Sequence, residues 1–566
     1  MLTTATVPQI RSAEQPLLDA GVPLMDQAAR AVADAVIADG FPAGSTVDLL
    51  VGAGNNGGDA LWAGKYLQDA GLHVIAYLVG DTVYGPGLAA LRAAGGNVVR
   101  VGAAKAVPTP PESTPQPPQN ARPDPQLPVP VAAAQFATAD VIIDGLLGIG
   151  ATGPMRGLGA ELVTALTDQL KQPPALGQRR PWVVAVDCPS GIALDGDTAG
   201  QVPGPALAAN HTITFGAPKP GLLLPPAAYS VGKLTVANLG LDLNTATQPD
   251  PSQSAPVTIH RLTADDVAAL WSVPTAYDQK YSRGVVGVVA GTDKYPGAAV
   301  LTTSAAVHAG AGMVRYLGPD VVSQAVLAAN PEVVKVGGQV QAWVCGSGVP
   351  TKLSGDPDDG QRERIRAALS GATGTLAGVG GKVPVVLDAG GLEMLPAQVP
   401  PWVVLTPHSG ELAALLTARG TRISRAQVDA DPLAAARLAQ KLTGATVLLK
   451  GATTVVVGPG AGASYNPATG TIAQQDNQTI FSQADAPPWL ATAGAGDVLS
   501  GLLGTMLAQH CEAVVADPTL AARLAAAAAF IHGQAAAHVN PGGPITASEV
   551  ACQISPTVAK VLVNQR

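Results

Sequence analysis

The feature that most constrains this chain is a run of glycines and amides, Gly52-Ala53-Gly54-Asn55-Asn56-Gly57-Gly58-Asp59. The run follows a short apolar segment, Val47–Val51, and precedes a helical pattern that begins at Ala60. Side chains this small leave successive backbone N–H groups free to converge on an anion, next to a helix N-terminus that also favours negative charge. The spacing is that of neither the dinucleotide fingerprint nor a Walker loop. We expect a strand, turn and helix that bind a phosphorylated ligand; a plain glycine-rich turn is the alternative.

Composition narrows the class of protein. The chain has 566 residues and a formal net charge of -8 without a basic stripe, so nucleic acid is not an expected partner. Its four cysteines lie far apart and form no CxxC, which predicts neither disulfides nor a zinc site. The first residues carry Arg11 and Glu14 instead of the apolar core of a signal peptide. The Ala-rich stretch 521–531 predicts a buried helix, so we expect a cytoplasmic protein without membrane contact.

Short Val/Ile/Leu strands alternate with Ala/Leu helical patterns in two blocks, which predicts an α/β fold in both. In the first block, residues 1–242, the predicted strands are Val47–Val51, Val74–Val79, Val141–Ile143 and Val183–Val186. In the second block, residues 259–566, they are Val285–Val289, Trp343–Cys345, Val385–Leu387, Val403–Leu405 and Val447–Leu449. Parallel strands covered on both faces make the first block a Rossmann-like three-layer domain.

Three segments interrupt this pattern. Residues 107–130 hold ten prolines and predict an extended, solvated insertion. Residues 243–258 have the composition of a linker between the two blocks. Residues 474–488 are polar and predict a surface loop.

Polar side chains follow the predicted strands of the first block. In an open parallel sheet, the carboxyl ends of the strands form the ligand crevice. We therefore expect five side chains to converge there: Asn56, Asp59, Asp144, Asp187 and Ser190. Oxygen donors of this type suit a hard cation, whereas each residue alone is more often a turn or cap.

The motifs GAGNNGGDA, DGLLGIG, VDCPSGIALDGDTAG and TFGAPKPGLL resemble the epimerase domain of the NAD(P)H-hydrate repair proteins, over roughly residues 10–240 apart from the insertion. The resemblance implies hydrate-binding positions at Asn55, Asn56, Gly57, Gly58, Asp59, Gly148, Ile149, Gly150, Ala151, Thr152, Gly153, Pro154 and Asp187. It also implies potassium ligands at Asn56, Asp144 and Ser190, and a catalytic acid–base role for Asp187. Ala60 stands where the family usually has glycine, and its methyl group is expected to tighten the pocket.

In the second block, the sequence TAGAGDVLSG places Asp497 at the start of a helix, just behind glycines. The glycine N–H groups can hold a developing phosphoryl charge while Asp497 accepts a hydroxyl proton. The alternative is a glycine-initiated helix whose aspartate interacts with the helix dipole. Two further motifs, residues 406–411 and 450–454, stand at predicted strand ends.

The order YSRGVVGVVAGTDKYPGAA, VCGSGV, LDAGGL, TPHSGEL, LLKGATT and TAGAGDVLSG resembles the ribokinase-like superfamily, and within it the nucleotide-dependent NAD(P)H-hydrate dehydratases, over about residues 260–555. The resemblance implies hydrate contacts at Ala298, Gly348, His408 and the catalytic Asp497. It implies nucleotide contacts at Lys450, Gly451, Ala452, Thr453, Thr454 and Gly496, with Mg²⁺, and with ADP as the donor in bacterial members. Ser347 replaces the proline that many relatives carry between the two glycines of this loop.

Together, the two resemblances imply repair of hydrated NADH and NADPH (NADHX and NADPHX). The first block would interconvert the R and S hydrates, and the second would dehydrate the S hydrate at the expense of ADP. Two alternatives stay open: a ribokinase-like small-molecule kinase, and a non-catalytic binding module in the first block. The low charge of the surface favours a homo-oligomer.

Overall fold

The computed structural model describes residues 1–102, 124–174, 177–243, 257–372, 382–466, 471–473 and 477–563. The chain forms two compact units, one of Thr4–Val257 and one of Met1–Thr3 with Thr258–Arg566. The first strand, β1 (Leu2–Thr3), pairs antiparallel with β10 (His260–Arg261) of the second unit. Main-chain pairing therefore assigns the first three residues to the second unit, whereas the sequence analysis placed them in the first block. Most of the predicted linker, residues 244–256, lies outside the described residues.

The first unit is built on one parallel sheet with the strand order β5-β4-β3-β2-β6-β7-β8-β9. Its strands are β2 (Thr46–Val51), β3 (His73–Val79), β4 (Asn97–Val101), β5 (Gln126–Leu127), β6 (Val141–Gly145), β7 (Trp182–Val186), β8 (His211–Phe215) and β9 (Lys233–Ala237). The four strands predicted for this block are confirmed. They are rich in Val, Ile and Leu because both faces of the sheet are covered.

Helices cover both faces of this sheet. They are α1 (Val7–Asp19), α2 (Leu24–Ala38), α3 (Asn55–Asp69), α4 (Gly85–Ala93), α5 (Val129–Phe136), α6 (Gly157–Lys171) and α7 (Pro220–Leu223). Val47 and Leu49 of β2 pack in a core with α2, α3 and α4, whereas Leu50 packs in a second core with α5 and α6. This alternation along a strand produces the predicted three layers.

Two local predictions in the first unit are wrong. Helix α3 begins at Asn55 and not at Ala60, so the second half of the glycine run forms buried helical turns. The predicted loop at 107–130 ends earlier than expected, since β5 and the start of α5 lie within it. Pro130 is compatible with α5 because the first helical positions need no N–H donor. Residues 107–123 lie outside the described residues.

The second unit also contains one large sheet, with the order β1-β10-β20-β17-β16-β15-β14-β13-β11-β12. Its strands are β11 (Val285–Val289), β12 (Met313–Tyr316), β13 (Ala342–Cys345), β14 (Val385–Leu387), β15 (Val403–Leu405), β16 (Thr446–Leu449), β17 (Thr454–Gly458) and β20 (Thr479–Gln483), and a separate hairpin pairs β18 (Ser464–Asn466) with β19 (Thr471–Ala473). The strands from β11 to β16 are parallel, and β17 is antiparallel to both its neighbours. The five strands predicted for this block are confirmed.

The helices of the second unit are α8 (Ala264–Leu270), α9 (Pro296–His308), α10 (Asp320–Ala329), α11 (Gln361–Ala372), α12 (Ser409–Ala418), α13 (Arg425–Ala430), α14 (Pro432–Thr443), α15 (Ala495–Gln509), α16 (Cys511–Ala516), α17 (Leu520–Val539) and α18 (Ala547–Val563). Helices α9, α15, α17 and α18 share a core with Val286, Val288 and Val344 of the sheet. Helix α14 packs on β16 and β17, and α11 packs on β11, β13 and β14. The Ala-rich stretch 521–531 is a buried part of α17, as predicted.

Strand β20 corrects the predicted surface loop at 474–488. Ile480 and Phe481 are buried, and the strand pairs with β17 and β10. The polar residues of this strand have hydrogen-bond partners inside the sheet: Arg261 donates to Ser482, and Gln483 accepts from the Leu262 amide at 2.8 Å. Polar side chains with such partners cost little to bury, which is why polarity alone misassigned this segment.

Across the described parts of the chain, none of the helices combines the length and the apolar character that crossing a bilayer requires.

One carboxyl group is buried in the first sheet, away from its carboxyl edge. Asp48 of β2 is 4% exposed. Burial raises the pKa of Asp48 to about 7, and a hydrogen bond from Tyr77 offsets only part of that effect. The folded chain therefore binds a proton here more tightly than the unfolded chain, whose aspartates titrate at about 3.9. The contribution of Asp48 to the free energy of unfolding has its full value below about pH 4 and is lost as the pH rises to about 7.

We predict that Asp48→Asn stabilises the first unit increasingly as the pH rises, because asparagine resembles the neutral carboxyl group. The gain in unfolding free energy should grow by about 3 kcal/mol between about pH 4.5 and about pH 8. Calorimetric melting of the full chain at both pH values measures it. Asp34→Asn, at an exposed position on α2, is the control and should show no such growth. An equal gain at both pH values would contradict the prediction.

Candidate active sites

The first candidate site is a cavity of about 530 Å³ at the carboxyl ends of β2, β6 and β7. The loops after these strands supply polar residues, and α1 and α2 add apolar side chains such as Leu18 and Met25. Eight of the predicted hydrate-binding residues line it: Asn55, Asn56, Asp59, Gly148, Ile149, Gly150, Ala151 and Asp187. The other five are not among its lining residues: Gly57, Gly58, Thr152, Gly153 and Pro154.

Glycines allow α3 to approach the end of the sheet. A Cβ atom on Gly52 would lie 2.0 Å from the Leu146 carbonyl oxygen, and one on Gly57 would lie 2.1 Å from the Gly52 oxygen. Gly54 caps the helix without a side-chain hydrogen bond, so the first N–H groups of α3 stay available to a ligand. Ala60 is buried against Gly145 and is not among the lining residues, so its methyl group does not tighten the cavity as expected.

Asp187 stands directly after β7 with a left-handed backbone, φ 62°. Its Oδ1 accepts hydrogen bonds from Lys219 Nζ at 2.5 Å, Thr214 Oγ1 at 3.0 Å and the Phe215 amide at 3.1 Å. Lys219 is fully buried and also donates to Thr214 and to the Phe215 carbonyl. Lys219 thus forms a buried ion pair with Asp187, which lines the cavity.

Two more carboxyl groups line the same cavity. Asp59 is 8% exposed, and its pKa is raised well above the usual value by burial and by the negative charges of Asp187 and Glu14. Burial also raises the pKa of Glu14, against the opposing effect of Lys219. The sequence analysis assigned no role in this site to Lys219, Glu14 or Arg11. Lys219 lies in the quoted TFGAPKPGLL motif, whereas nothing in the sequence linked α1 to the cavity.

The predicted potassium ligands meet around the main chain of Leu147. Asp144 accepts hydrogen bonds from Ser190 Oγ at 2.6 Å and from the Ser190 amide at 2.8 Å. Asn56 Nδ2 donates to the Leu147 carbonyl at 3.0 Å, and the Leu147 amide donates to Ser190 Oγ at 2.9 Å. The structure therefore brings Asn56, Asp144 and Ser190 together.

These residues fit a monovalent hard cation. Asp144 is fully buried, and burial raises its pKa although Ser190 and Leu146 donate to it. Within the described ranges, no lysine or arginine forms an ion pair with Asp144. A buried carboxylate with only neutral partners would gain a counter-ion from a bound cation, and carboxylate, amide and carbonyl oxygens are ligands of hard cations.

The second candidate site lies at the carboxyl ends of the parallel strands of the second sheet. Asp388 follows β14, Thr406 follows β15 and Lys450 follows β16. Asp497 lies in the first turn of α15, after Gly494, whose left-handed backbone (φ 88°) caps the helix. The predicted position of Asp497 at a helix start is confirmed.

An ion pair between buried Asp388 and partly exposed Lys450 lies beside Asp497. Lys450 Nζ donates to Asp388 Oδ1 at 2.8 Å, and Thr406 Oγ1 and Ser347 Oγ donate to the same carboxylate at 3.0 and 3.2 Å. Burial alone would raise the pKa of Asp388, but the Lys450 charge and these hydrogen bonds outweigh it, so its pKa lies below the usual value. Burial, reinforced by the negative charge of Asp388, raises the pKa of Asp497 to about 7. An aspartate with this pKa suits a general base near neutral pH.

His408 caps helix α12 beside Lys450. Its Nδ1 accepts from the amides of Gly410 and Glu411, and the Glu411 carboxylate accepts from the His408 amide at 2.8 Å. The His408 side chain is 57% exposed. A parallel β-bridge between His408 and Lys450 holds this loop beside the end of β16. His408 is therefore fixed as a helix cap while its ring remains accessible to a ligand.

The predicted nucleotide-binding residues surround Lys450. Gly451, Ala452 and Thr453 form the turn between β16 and β17, and Thr454 begins β17. A Cβ atom on Gly496 would lie 3.2 Å from Lys450 Nζ, so the N-terminus of α15 and this lysine are adjacent. Their role in nucleotide binding remains a prediction.

Asp388 was missed as a site residue. The segment Val385-Val386-Leu387-Asp388 repeats the pattern of Val183-Val184-Ala185-Val186-Asp187, in which an apolar strand is followed by an aspartate. The strand-end rule that selected Asp187 would have selected Asp388 as well.

Fold and sites together define an enzyme of two α/β domains, one with a carboxylate-lined cavity and one in which a lysine–aspartate ion pair lies beside a carboxyl group of raised pKa. The family model of the YjeF-related protein N-terminus matches residues 22–221, and the NAD(P)H-hydrate dehydratase model matches residues 286–556. The chain belongs to the family of bifunctional NAD(P)H-hydrate repair enzymes.

Relatives of this family match along most of the chain. The bifunctional NAD(P)H-hydrate repair enzyme Nnr of Mycobacterium leprae is 37% identical over 98% of this chain and 98% of its own length. The Nnr protein of Mycobacterium tuberculosis is 36% identical over 89% of this chain and 88% of its own length. The corresponding protein of Leishmania infantum is 30% identical over 91% of this chain and 84% of its own length.

Solved structures match about half of the chain. A ribokinase-like protein from Enterococcus faecalis is 19% identical and covers 54% of this chain and 96% of its own, with a TM-score of 0.42. The ADP/ATP-dependent NAD(P)H-hydrate dehydratase from Bacillus subtilis, co-crystallised with ATP and Mg²⁺, is 22% identical over 54% of this chain and 99% of its own, with a TM-score of 0.40. At these identities and TM-scores, neither structure bears on the activity of this chain.

The loop at Gly348 gives a test of the second site. Gly348 has a φ of +66°, and a Cβ atom there would lie 2.5 Å from the Ala298 Cβ. The two predicted hydrate contacts are therefore in van der Waals contact with each other. We predict that Gly348→Ala lowers the nucleotide-dependent activity of this site by about tenfold or more, because the displaced loop moves Ser347 away from the carboxylates.

Gly355→Ala is the matched control, and the nucleotide-dependent activity of both variants is measured in steady-state assays. Gly355 has nearly the same φ, +70°, but nothing lies within 4 Å of the added Cβ. Equal losses in both variants would mean that backbone strain, and not the contact with Ala298, disturbs the site.

Proposed function

We propose that this chain repairs hydrated NADH and NADPH in two steps. The first domain interconverts the R and S hydrates, and the second domain dehydrates the S hydrate with ADP as the co-substrate. The observation that carries this proposal is that one chain holds two such sites: each combines a lysine–aspartate ion pair with a second carboxyl group of raised pKa. Family membership supplies the substrate class.

In the dehydration step, Asp497 accepts the proton of the hydrate hydroxyl group, which attacks the terminal phosphorus of the nucleotide. The new phosphate ester is a good leaving group. Loss of phosphate, together with a proton from the neighbouring ring carbon, restores the double bond of the reduced nicotinamide. In this proposal, the first N–H groups of α15 and the adjacent Lys450 ammonium stabilise the charge of the transferred phosphoryl group.

Cations complete both sites in this proposal. Asn56, Asp144 and Ser190 would hold K⁺, which shapes the loops around the first cavity. For the second site, the described residues contain no group of three or more His, Cys, Asp or Glu side chains that could hold a metal ion by themselves. Mg²⁺ is therefore proposed to enter with the nucleotide phosphates, as it commonly does, and to neutralise their charge.

Two alternative functions have less support. A small-molecule kinase would leave a stable phosphorylated product, whereas the family is one of dehydratases. A binding module in place of the epimerase would have no need of an ion pair buried beside a cavity, such as Lys219–Asp187. A cytoplasmic location and a homo-oligomeric state remain part of the proposal.

We predict that Asp497→Asn lowers dehydration of the S hydrate by at least about a hundredfold and leaves epimerisation intact, because the two reactions use separate sites. Asp187→Asn should do the reverse. Purified protein is mixed with epimer-resolved NADH hydrate, K⁺, Mg²⁺ and either ADP or ATP, and the return of reduced-nicotinamide absorbance is followed. Epimerisation is measured separately by chromatography without nucleotide. Loss of both activities in either variant would break the two-site proposal.

We also predict that the dehydration rate rises with pH through about 7, the pKa to which burial raises Asp497. Below that pH the carboxyl group is protonated and cannot accept the hydroxyl proton, so the rate falls on the acid side. Initial rates at saturating hydrate and nucleotide give the profile. The Asp48→Asn variant should keep the same profile, since Asp48 also has a pKa of about 7 but lies in the other domain. A flat profile between about pH 6 and about pH 8 would remove Asp497 as the base.

A further inference from the structure

The carboxylate of Asp187 presents one oxygen to the cavity. All the hydrogen bonds that the described residues make to this carboxylate are accepted by Oδ1, from Lys219, Thr214 and the Phe215 amide. Oδ2 has no such partner, and Asp187 lines the cavity. A ligand in the cavity therefore meets Oδ2 of a carboxylate whose charge is held by a fully buried ammonium group.

Asp59 lines the same cavity without such support. Among the described residues, no donor lies within hydrogen-bonding distance of its carboxyl group, and it is 8% exposed. The charged groups that line the cavity with it are Arg11 and Glu14 from α1 and Asp187, the ion-pair partner of Lys219. Burial and the nearby negative charges of Asp187 and Glu14 both favour its neutral form.

We propose that Asp59 and Asp187 act as an acid–base pair in the epimerisation, with Asp59 as the proton donor, Asp187 Oδ2 as the proton acceptor and Lys219 as the positioning residue of Asp187. The inference rests on the proposed epimerase function of the first domain and deepens it. Two carboxyl groups whose surroundings favour opposite protonation states mark the acid and the base of a site.

The reaction balances with water alone as the co-reactant. In the hydrate, the hydroxyl group is on the ring carbon next to the nitrogen. Asp59 gives its proton to that hydroxyl group, the C–O bond breaks, water leaves, and the nitrogen lone pair forms a C=N bond. A water molecule then adds to the opposite face of the planar carbon, and Asp187 takes the surplus proton. The carbon is inverted, one proton has passed from Asp59 to Asp187, and exchange with solvent restores both groups.

The test follows conversion of the purified R hydrate of NADH to the S hydrate by the full chain without nucleotide. Asp59→Asn should lower the turnover number by at least about a hundredfold and change KM by less than about threefold. Asp48→Asn is the matched control, because Asp48 is a buried carboxyl group of the same domain with a raised pKa that does not line the cavity. Its epimerisation rate should equal that of the wild type.

The positioning role of Lys219 is tested by the pH profile. Lys219→Met should lower the epimerisation rate and move the acid side of the profile to higher pH, because the ammonium group no longer stabilises the carboxylate. Thr214→Val removes one donor to the same oxygen and should cause a smaller shift in the same direction. This variant keeps the test valid where Lys219→Met does not fold.

The outcomes separate this inference from the proposed function. A wild-type chain that fails to interconvert the hydrates overturns the epimerase function itself. An active wild type whose Asp59→Asn variant keeps its turnover number, or changes only in KM, makes Asp59 a substrate contact and overturns the acid assignment. The same holds if Glu14→Gln, and not Asp59→Asn, removes the activity. Unshifted profiles in both Lys219→Met and Thr214→Val overturn the positioning role.

Discussion

Each unit of this protein holds a lysine–aspartate ion pair at the carboxyl ends of its parallel strands, and the rest of each site is arranged around it. The distances are 2.5 Å for Lys219–Asp187 and 2.8 Å for Lys450–Asp388. Lys219–Asp187 is buried, so removal of one partner leaves an uncompensated buried charge, at a cost of about 3–5 kcal/mol. A second carboxyl group lies near each pair and has a raised pKa because it is buried next to a negative charge: Asp59 in the first unit and Asp497 in the second. In each unit, the negative charge of the paired aspartate thus adds to burial in raising the pKa of the neighbouring carboxyl group.

Close backbone contact is the second shared constraint. In the first unit, Gly52 and Gly57 let the N-terminus of α3 approach the loop after β6. In the second, Gly346 has a φ of 108°, and a Cβ atom there would lie 2.1 Å from the Asp388 carbonyl oxygen. These glycines bring main-chain N–H groups and strand-end carboxylates within reach of one ligand. These positions require glycine because any side chain would push the two main-chain segments apart.

Sequence patterns located the sheets better than the helix starts and the polar strands. The predicted strands are runs of Val, Ile and Leu, and their burial on both faces leaves little ambiguity. Strand β20 escaped because Ser482 and Gln483 are polar, and only their partners Arg261 and Leu262, more than 200 residues away in the chain, make their burial favourable. The start of α3 was predicted wrongly because glycines favour loops locally, whereas close packing against the sheet selects a helix here.

Order and pattern along the chain were enough to locate several carboxyl groups of the candidate sites. Parallel strands end at one edge of a sheet, which places Asp144 and Asp187 at a ligand crevice, and a glycine-rich helix start marks Asp497. The protonation of each carboxyl group could not be read in this way. Protonation depends on burial and on charges brought close in space, and these come from elements that share no local pattern with the site. Lys219 and Glu14 reach the first cavity from opposite ends of its domain sequence, and Asp388 reaches Lys450 across a neighbouring strand. A linear pattern records which groups are present, whereas their charge is a property of the folded surroundings.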